Sequence, residues 1–571
     1  MLRRLLVTGL LLAALPTADA WAEPAKGLEI DRSALEAVED LTESLANDLL
    51  LLSVRTKRMD LPAISAFFGD DFAADGLPSV AGALRRDVKW ISTHGWEIGN
   101  PNEITIGRSK PDPEAGIILR SVGRAEFLGQ VERFLSHFSE IEDARFKVKD
   151  ATFDDPSVPE GRAVVKFYVV GRDRAGRREW VHGLAEIAAA RRGDTWQITR
   201  WHTASMISDV AATDLFSEVG IPAGIDHTFP RFGVAPGDGF VSHGGAVGDV
   251  NGDGLMDLLL TEVDGARLYL NDGKGGFTDI SGPGLLSGIP SPTAAVFLDY
   301  DQDGDSDIFM SAVGSQMLFE NRVDPNGVLR FHDVSAQAGV AVPAVGFSLA
   351  VADVNGDGLP DVYVTSYNHY GSVMPDSWAR ATNGTPNLLF INIGSGRFRE
   401  SAKNWGVDDR RWGYAAAFAD VNGDGWQDLY LANDFGENAL YINKRLRFED
   451  EAALRGVLDP GNGMGVAWGD YDNDGDLDLH VTNMSSTAGN RILGRLMPEA
   501  GRADSVLRKL AAGSSLFRNR GNGWFTDVSA EAGPFGAGWA YGGGFIDFDN
   551  DGWEDEFSVN GFVSGNTMND T

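Results

Sequence analysis

The sequence predicts a mainly β chain: a calcium-loop β-propeller with six recognisable repeats, in six or seven blades, preceded by a smaller α+β cone-like domain. Three observations carry this. A nine-residue acidic pattern recurs six times, at spacings of 50, 54, 67, 50 and 77 residues. Each copy runs into a short apolar stretch of strand type. Between copies lies a second hairpin signature, so each period holds enough chain for a four-stranded blade.

The pattern is D-x-[D/N]-x-D-G-x-x-D, and DYDNDGDLD is its most acidic copy. That copy places Asp470, Asp472, Asp474, Asp476 and Asp478 at odd positions, with Gly475 sixth. Five hard oxygen donors in nine residues repel one another unless a cation sits among them. Calcium suits them, because it takes six to eight oxygen ligands in a forgiving geometry and the glycine permits the sharp turn. The other copies supply Asp249, Asn251, Asp253 and Asp257; Asp299, Asp301, Asp303, Asp305 and Asp307; and Asp353, Asn355, Asp357 and Asp361. They continue with Asp420, Asn422, Asp424 and Asp428, then Asp547, Asp549, Asp551 and Asp555. At the seventh position the main-chain carbonyl is the expected ligand, from Leu255, Asp305, Leu359, Trp426, Asp476 and Trp553. Up to six calcium ions are therefore expected, with the ninth-position aspartate closing each loop.

These loops are not EF-hands, which need a glutamate at position twelve and flanking helices. Here the twelfth residues are Leu260, Met310, Val364, Leu431, Val481 and Ser558. The runs LLLT, IFMS, VYVT, LYLA, LHVT and the weaker EFSV read as buried strands, which places each loop in a β-hairpin.

The chain has 571 residues, too many for one core, and 70 glycines, which suit tight turns. Its net charge of −34 argues against nucleic acid as a partner. Of its 83 acidic residues, 24 lie in the six loops, so the acidity is largely a set of ligands. Residues 1–22 read as a signal peptide: Arg3 and Arg4, an apolar run from Leu5 to Pro16, then small residues. That run is short for a membrane anchor and no later stretch reaches spanning length, so a secreted or periplasmic protein without a membrane span is expected. There is no cysteine, which leaves calcium rather than disulfides to cross-link the fold.

Residues 28–205 form the expected first domain. From Asp31 to Ala74 the pattern is helical, with Leu35, Val38, Leu41, Leu45 and Leu49 at helical spacing, and Phe127 to Ile141 is helical again. Four strands follow, over 144–153, 162–172, 178–192 and 194–204. Helices followed by a meander indicate an α+β cone, and this region resembles the NTF2-like (SnoaL-like) fold. His182 and His202 are candidates to meet across strands, and Asp60 is a conceivable base; sheet-face histidines and a helix-end aspartate are the plainer readings.

Residues 214–571 form the second expected domain. The intervening signature, as in LYINKRLRFEDEAALRGV and LFRNRGNGWFTDVSAEAGP, gives a strand ending at Asn, a turn and a second strand starting at Phe. These repeats match the FG-GAP/VCBS pattern of integrin α-chain propellers. The fuller resemblance is to the cartilage acidic protein (ASPIC/UnbV) family, carried by GMGVAWGDYDNDGDLDLHVTN (Gly463–Asn483) and SSTAGNRI (Ser485–Ile492). It implies calcium ligation at the matching loop positions and an adhesion-type or extracellular binding role. After the sixth loop the hairpin that should complete its blade is not found; LFSEVGI at Leu215–Ile221 resembles a closing strand that fills part of that gap.

Two insertions stand out: Tyr367–Pro386, with His369, Tyr370, Trp378 and Arg380, and Met484–Gly513, whose Arg491–Ala512 reads as a basic helix. Trp412, Trp468 and Trp539 read as core. Two functions are weighed. One is a binding module for a protein or glycan ligand, with structural calcium. The other is an exported carbohydrate-active hydrolase or lyase using the propeller face or the cone pocket. No G-x-S-x-G elbow, H-E-x-x-H or cysteine nucleophile is present, so no catalytic residue is assigned. Carboxylate pairs for glycoside chemistry stay open, since spacing in sequence does not give their separation.

Overall fold

The computed structural model describes residues 32–77, 84–88, 121–211, 217–225 and 244–560, with breaks at 263–264, 283–284, 287, 323–328, 370–372, 487–488, 491–492, 494–505, 533–537 and 549. The signal-peptide reading, Leu215, Tyr370, Asp549 and most of the basic helix lie outside those residues. The chain divides into two compact units, with the boundary between Ser217 and Glu218.

The first unit begins with α1 (Arg32–Lys57), whose spaced leucines bury Leu45, Leu49 and Leu52. Asp60 then caps α2 (Leu61–Ser65): its Oδ1 accepts the Ala63 amide at 3.2 Å. The candidate base is thus a helix cap. Two helical readings need correction at their ends. The first region passes into a strand, β1 (Phe68–Ala74), and the second stops with α3 (Arg124–Leu135) before β4 (Phe138–Thr152). In both places sheet pairing overrides the local pattern: Phe68 pairs with Ile198, and Phe138 pairs with Asp173. With β2 (Leu84–Val88) and β3 (Val122–Gly123), strands β5 (Glu160–Asp173), β6 (Arg178–Arg192) and β7 (Thr195–Ala211) complete the sheet. Its order is β3-β1-β7-β6-β5-β4, with β2 also on β7, and β4 to β7 form an antiparallel meander. Phe127, Phe167, Val181 and Trp201 join the α1 leucines in one core. This is the α+β cone that the NTF2-like resemblance implies.

The second unit repeats one antiparallel design. Blade one is β8 (Gly245–Gly248), β9 (Asp257–Glu262), β10 (Gly265–Asn271) and β11 (Phe277–Asp279). Blade two runs from β12 (Pro292–Leu298) through β13 (Asp307–Ser315) and β14 (Met317–Asn321) to β15 (Phe331–Asp333). Blade three is β16 (Pro343–Ala352), β17 (Asp361–Ser366), β18 (Leu388–Asn392) and β19 (Phe398–Glu400). Blade four is β20 (Trp412–Ala419), β21 (Asp428–Phe435), β22 (Ala439–Asn443) and β23 (Phe448–Asp450). Blade five is β24 (Gly463–Gly469), β25 (Asp478–Asn483), β26 (Ser515–Asn519) and β27 (Phe525–Asp527). Of blade six, β28 (Ala540–Ile546) and β29 (Asp555–Asn560) form a pair.

The cores lie between blades. In the second strand of each blade, the residue after the ninth-position aspartate faces the preceding blade and the next one faces the following blade. Leu259 and Ile308 thus share a cluster, as do Phe309 and Val362, Tyr363 and Leu429, and Tyr430 and Leu479. At the last junction the pair is polar: His480 Nε2 lies 3.2 Å from Glu556 Oε1. Burial pushes His480 down to about 4 and Glu556 up to about 7, which favours the neutral form of each. Trp412 is fully buried and the Trp468 ring meets Tyr430 edge-on at 6.2 Å, as the core reading requires.

Candidate calcium loops

Each acidic nonapeptide forms the turn between the first two strands of its blade. The first-position aspartate organises it by accepting main-chain amides. Asp353 Oδ1 accepts from Gly356 and Asp357 at 2.7 and 3.1 Å, and Oδ2 accepts from Gly358 at 2.7 Å. Asp249, Asp299, Asp420, Asp470 and Asp547 repeat the bonds from positions five and six. The fifth-position carboxylate accepts the position-seven amide, as Asp253, Asp303, Asp357, Asp424, Asp474 and Asp551 show. Two left-handed residues make the turn. One is the sixth-position glycine, with φ +91° at Gly475; the other, at position four, is Gly252, Gln302, Gly356, Gly423, Asn473 or Asn550. Gly or Asn stands at position four in five of the six loops, with Gln302 in the other.

The ninth-position aspartate closes each loop from below. Asp257, Asp307, Asp361, Asp428 and Asp478 are fully buried at the head of the second strand. Asp361 Oδ2 accepts the Val354 amide at 3.0 Å, and Oδ1 accepts the Asn392 amide at 2.8 Å. Burial raises Asp307, Asp361, Asp428 and Asp478 to about 7.

The asparagines that end the third strands have a structural role. Asn443 Nδ2 donates to Gln427 O of its own loop at 3.2 Å and to Val354 O of the preceding blade's loop at 2.9 Å. Asn321, Asn392 and Asn519 likewise reach Val250 O, Tyr300 O and Val421 O. Loops one to four are thereby each latched to the next blade.

The donor set fits a hard cation best in loops two and five. One carboxylate oxygen each from Asp299, Asp301 and Asp303 lie within 4.8 Å of one another, as do those of Asp470, Asp472 and Asp478. Asp301 Oδ1, Asp305 Oδ1 and Asp472 Oδ1 are buried without a hydrogen-bond partner. The Asp305 carboxyl is raised to about 6 by burial and by Asp303 beside it. At the seventh position of loop four, Trp426 lies under Arg445, 5.7 Å from the ring centre.

Elsewhere the sequence candidates separate. His182 pairs with Asp209 at 2.9 Å and His202 with Asp75, so the two histidines do not meet. Trp378 packs on Phe435 at 5.0 Å, and Arg380 reaches Glu437 at 3.2 Å. Of the basic insertion, Val506–Ala512 is helical among the described residues. No helix among the described residues is long and apolar enough to cross a membrane.

Fold and loops together define a class: a blade-repeat protein whose hairpin turns are FG-GAP loops. The FG-GAP-like repeat model matches residues 249–310, 374–431 and 420–481, and the FG-GAP repeat model matches 345–375. The chain is an FG-GAP-repeat protein homologous to cartilage acidic protein 1. It is 29% identical to the mouse protein over 256 residues, 43% of this chain and 34% of that one. It is 26% identical to the Xenopus tropicalis protein over 391 residues, 55% of this chain and 57% of that one. The chain thus spans a third to about half of the length of these relatives. Among solved structures, an Agrocybe aegerita lectin, described as recognising non-reducing terminal N-acetylglucosamine, is 15% identical with a TM-score of 0.30, over 64% of this chain and 78% of that one. A hexachlorocyclohexane dehydrochlorinase of Novosphingobium barchaimii is 11% identical with a TM-score of 0.18, over 33% and 95%.

Proposed function

We propose that this chain is an exported interaction module whose propeller is cross-linked by calcium in its hairpin loops, rather than an enzyme. The observation that carries this is the set of buried carboxylate oxygens in loops two and five that lack a hydrogen-bond partner, in a fold that otherwise pairs its loop carboxylates. A cation there neutralises like charges whose repulsion would open the turn. The residues that hold it are Asp299, Asp301, Asp303, Asp305 and Asp307 in loop two, and Asp470, Asp472, Asp474, Asp476 and Asp478 in loop five. Loops one, three, four and six carry the corresponding positions. Homology to cartilage acidic protein 1 supports an extracellular place and the FG-GAP repeats support an interaction role, for which a protein or glycan is the ligand proposed.

The enzyme alternative draws little support from the cone. Its interior cavity, of about 60 Å³, is walled by side chains such as Leu52, Phe68, Phe127, Phe167 and Trp201, with Thr56 the one polar residue. Thr56 Oγ1 is bound to Leu52 O at 2.9 Å.

Thermal unfolding of the full chain in EGTA and in millimolar calcium tests the reading. An ion bound only by the folded state at 100 times its Kd adds about 2.7 kcal/mol per site. A rise of Tm with calcium, lost stepwise in Asp301→Asn and Asp472→Asn, is the expected result; no rise overturns it.

A further inference from the structure

Blade six differs from the other five in what stands beyond its second strand. Its sheet is β28 and β29 alone, so the outer edge of β29 pairs with no strand among the described residues. In blades one to five that edge takes a third strand in one fixed register. The residue after the ninth-position aspartate pairs with the residue two before the terminal asparagine, as Ile308 does with Phe319 and Leu429 with Tyr441. The main-chain amide of that asparagine then reaches the aspartate's Oδ1, at 2.9 Å from Asn271 to Asp257 and 2.8 Å from Asn321 to Asp307. The five aspartates so capped are fully buried, whereas Asp555 of blade six is half-buried. Loop five shows the same difference from its own side. Among the described residues no asparagine side chain reaches Tyr471 O, the carbonyl that matches Val250, Tyr300, Val354 and Val421.

The sequence after β29, which lies outside the described residues, carries the matching parts at the required distance. The terminal asparagine stands 14 residues after the ninth-position aspartate in blades one and two, and Asn569 stands 14 residues after Asp555. Blade one turns between Glu262 and Gly265. The same place in blade six follows Asn560 and Gly561, and Asn-Gly is a strong turn signal. The common register then sets Thr567 opposite Glu556, Asn566 opposite Phe557 and Gly565 opposite Ser558. Where the other blades have an aromatic residue and a leucine, this segment has Thr567 and Asn566, and both suit their surroundings. Thr567 falls on the side turned to blade five, where the junction of His480 with Glu556 is already polar. Asn566 falls beside Phe557, which is 54% exposed where its counterparts Leu259, Phe309, Tyr363 and Tyr430 are fully buried.

We propose that the outer edge of β29 is the docking site of this chain's own residues 565–569, which add the third strand of blade six and use Asn569 to latch loop five to it. Asn569 then donates its main-chain amide to Asp555 Oδ1 and its side-chain nitrogen to Tyr471 O, as Asn443 does to Asp428 Oδ1 and Val354 O. Calcium is not needed for these bonds, which run between protein groups. An uncovered strand edge pairs with whatever extended chain it meets. Covering it from within the same chain keeps copies of the protein from adding strands to one another and leaves the blade faces and loops as its binding surfaces.

The test uses the full chain, which contains no cysteine, so a pair of introduced thiols has no competitor. Phe557→Cys with Asn566→Cys sets two thiols directly opposite one another, where Cβ atoms stand about 4.5–5.5 Å apart. Mild oxidation is expected to close a disulfide within one chain, read by mass spectrometry of the unreduced digest. Phe557→Cys with Thr567→Cys turns the second thiol to the other face of the strand and is expected to close at least about tenfold less. A disulfide between two chains overturns the proposal and gives the edge to a second copy. Equal closure of both pairs, or closure of neither, overturns it as well. Asn569→Ala supplies an independent readout without oxidation. Amide exchange across Asp555–Asn560 should be about tenfold faster than in the parent chain, and unchanged in Asn566→Ala. Exchange that Asn569→Ala leaves unaltered, or that Asn566→Ala speeds equally, overturns the latch.

Discussion

A single asparagine per blade does much of the joining in this unit. Asn443 satisfies two main-chain carbonyls through one amide, and its Oδ1 accepts the Arg445 amide at 2.7 Å. It is almost wholly buried, so no water replaces these bonds when the side chain is cut back. Leaving buried acceptors unpaired costs about 1–3 kcal/mol. Asn443→Ala is therefore expected to lower the unfolding free energy from urea titration by that amount in EGTA as well as in calcium, because the latch does not involve the ion. Loss seen only in calcium would assign Asn443 to ion binding instead. Asp434 supplies a pH prediction at the same scale. Its folded carboxyl is raised above the unfolded value, to about 6, so the folded state binds the extra proton. The associated stability is fully present below about pH 4 and is lost as pH rises through about 6. Comparing Asp434→Asn with the parent chain across pH 4 to 7 should show a flatter stability profile in the variant; parallel profiles would remove Asp434 as the cause.

The link between blades is the element that repeats most strictly. After the fourth strand a short turn ends in a left-handed glycine, Gly339, Gly406 or Gly456, and the residue after it donates back five residues, as Val457 does to Ala452 O at 3.0 Å. A Cβ on Gly456 would lie 2.7 Å from Phe525 O of the next blade, at φ +86°. Gly456→Ala should cost about 2 kcal/mol or more, whereas Gly176→Ala, in an open hairpin turn of the first unit at φ +81°, should cost only the backbone term of about 1–2 kcal/mol. Equal losses would mean that the blade contact adds nothing. The same link appears ahead of blade one. Gly224 has φ +87°, Ile225 donates to Gly220 O at 2.8 Å, and Glu218 Oε1 accepts the Gly220 amide at 2.6 Å, as Asp333 Oδ1 accepts that of Ser335 at 2.9 Å. The start of the closing strand read from Leu215–Ile221 lies outside the described residues, and Gly220–Gly224 form the link's turn rather than a strand; the link itself was hidden, because Ile-Pro-Ala-Gly shares little with Ala-Gln-Ala-Gly except its end. The helix-to-strand changes at Phe68 and Phe138 were equally hidden, since one apolar spacing serves either element until a sheet partner is known.

At the scale of the whole chain, the six repeats were readable because each loop is a fixed-spacing set of acidic residues, whereas the side-chain cluster around Asp434 was not. Its members come from separate blades and meet only when the blades stand side by side; nothing local marks Asp434 as different from any other acid. The excess of acid itself has a consequence that separates the calcium reading from a merely solvating surface. The net charge is −34, and 24 acidic residues sit in six short loops, where distances are a few ångströms rather than a Debye length. Salt screens such repulsion only partly at about 0.15 M and more fully near 1 M, where the screening length falls to about 3 Å. Bound calcium removes it at source, by about half of the loop charge if all six loops fill. The Tm of the full chain in EGTA should therefore climb steeply as sodium chloride is raised from about 0.01 M to 1 M, while the Tm in millimolar calcium should change little over the same range. The two curves should converge at the high-salt end without meeting, since sodium screens the carboxylates but does not bridge one strand to the next. Parallel curves would mean that the loop charges are not what calcium relieves, and the acidic residues would then be solvated turns whose spacing serves only the hydrogen bonds of the first-position aspartates.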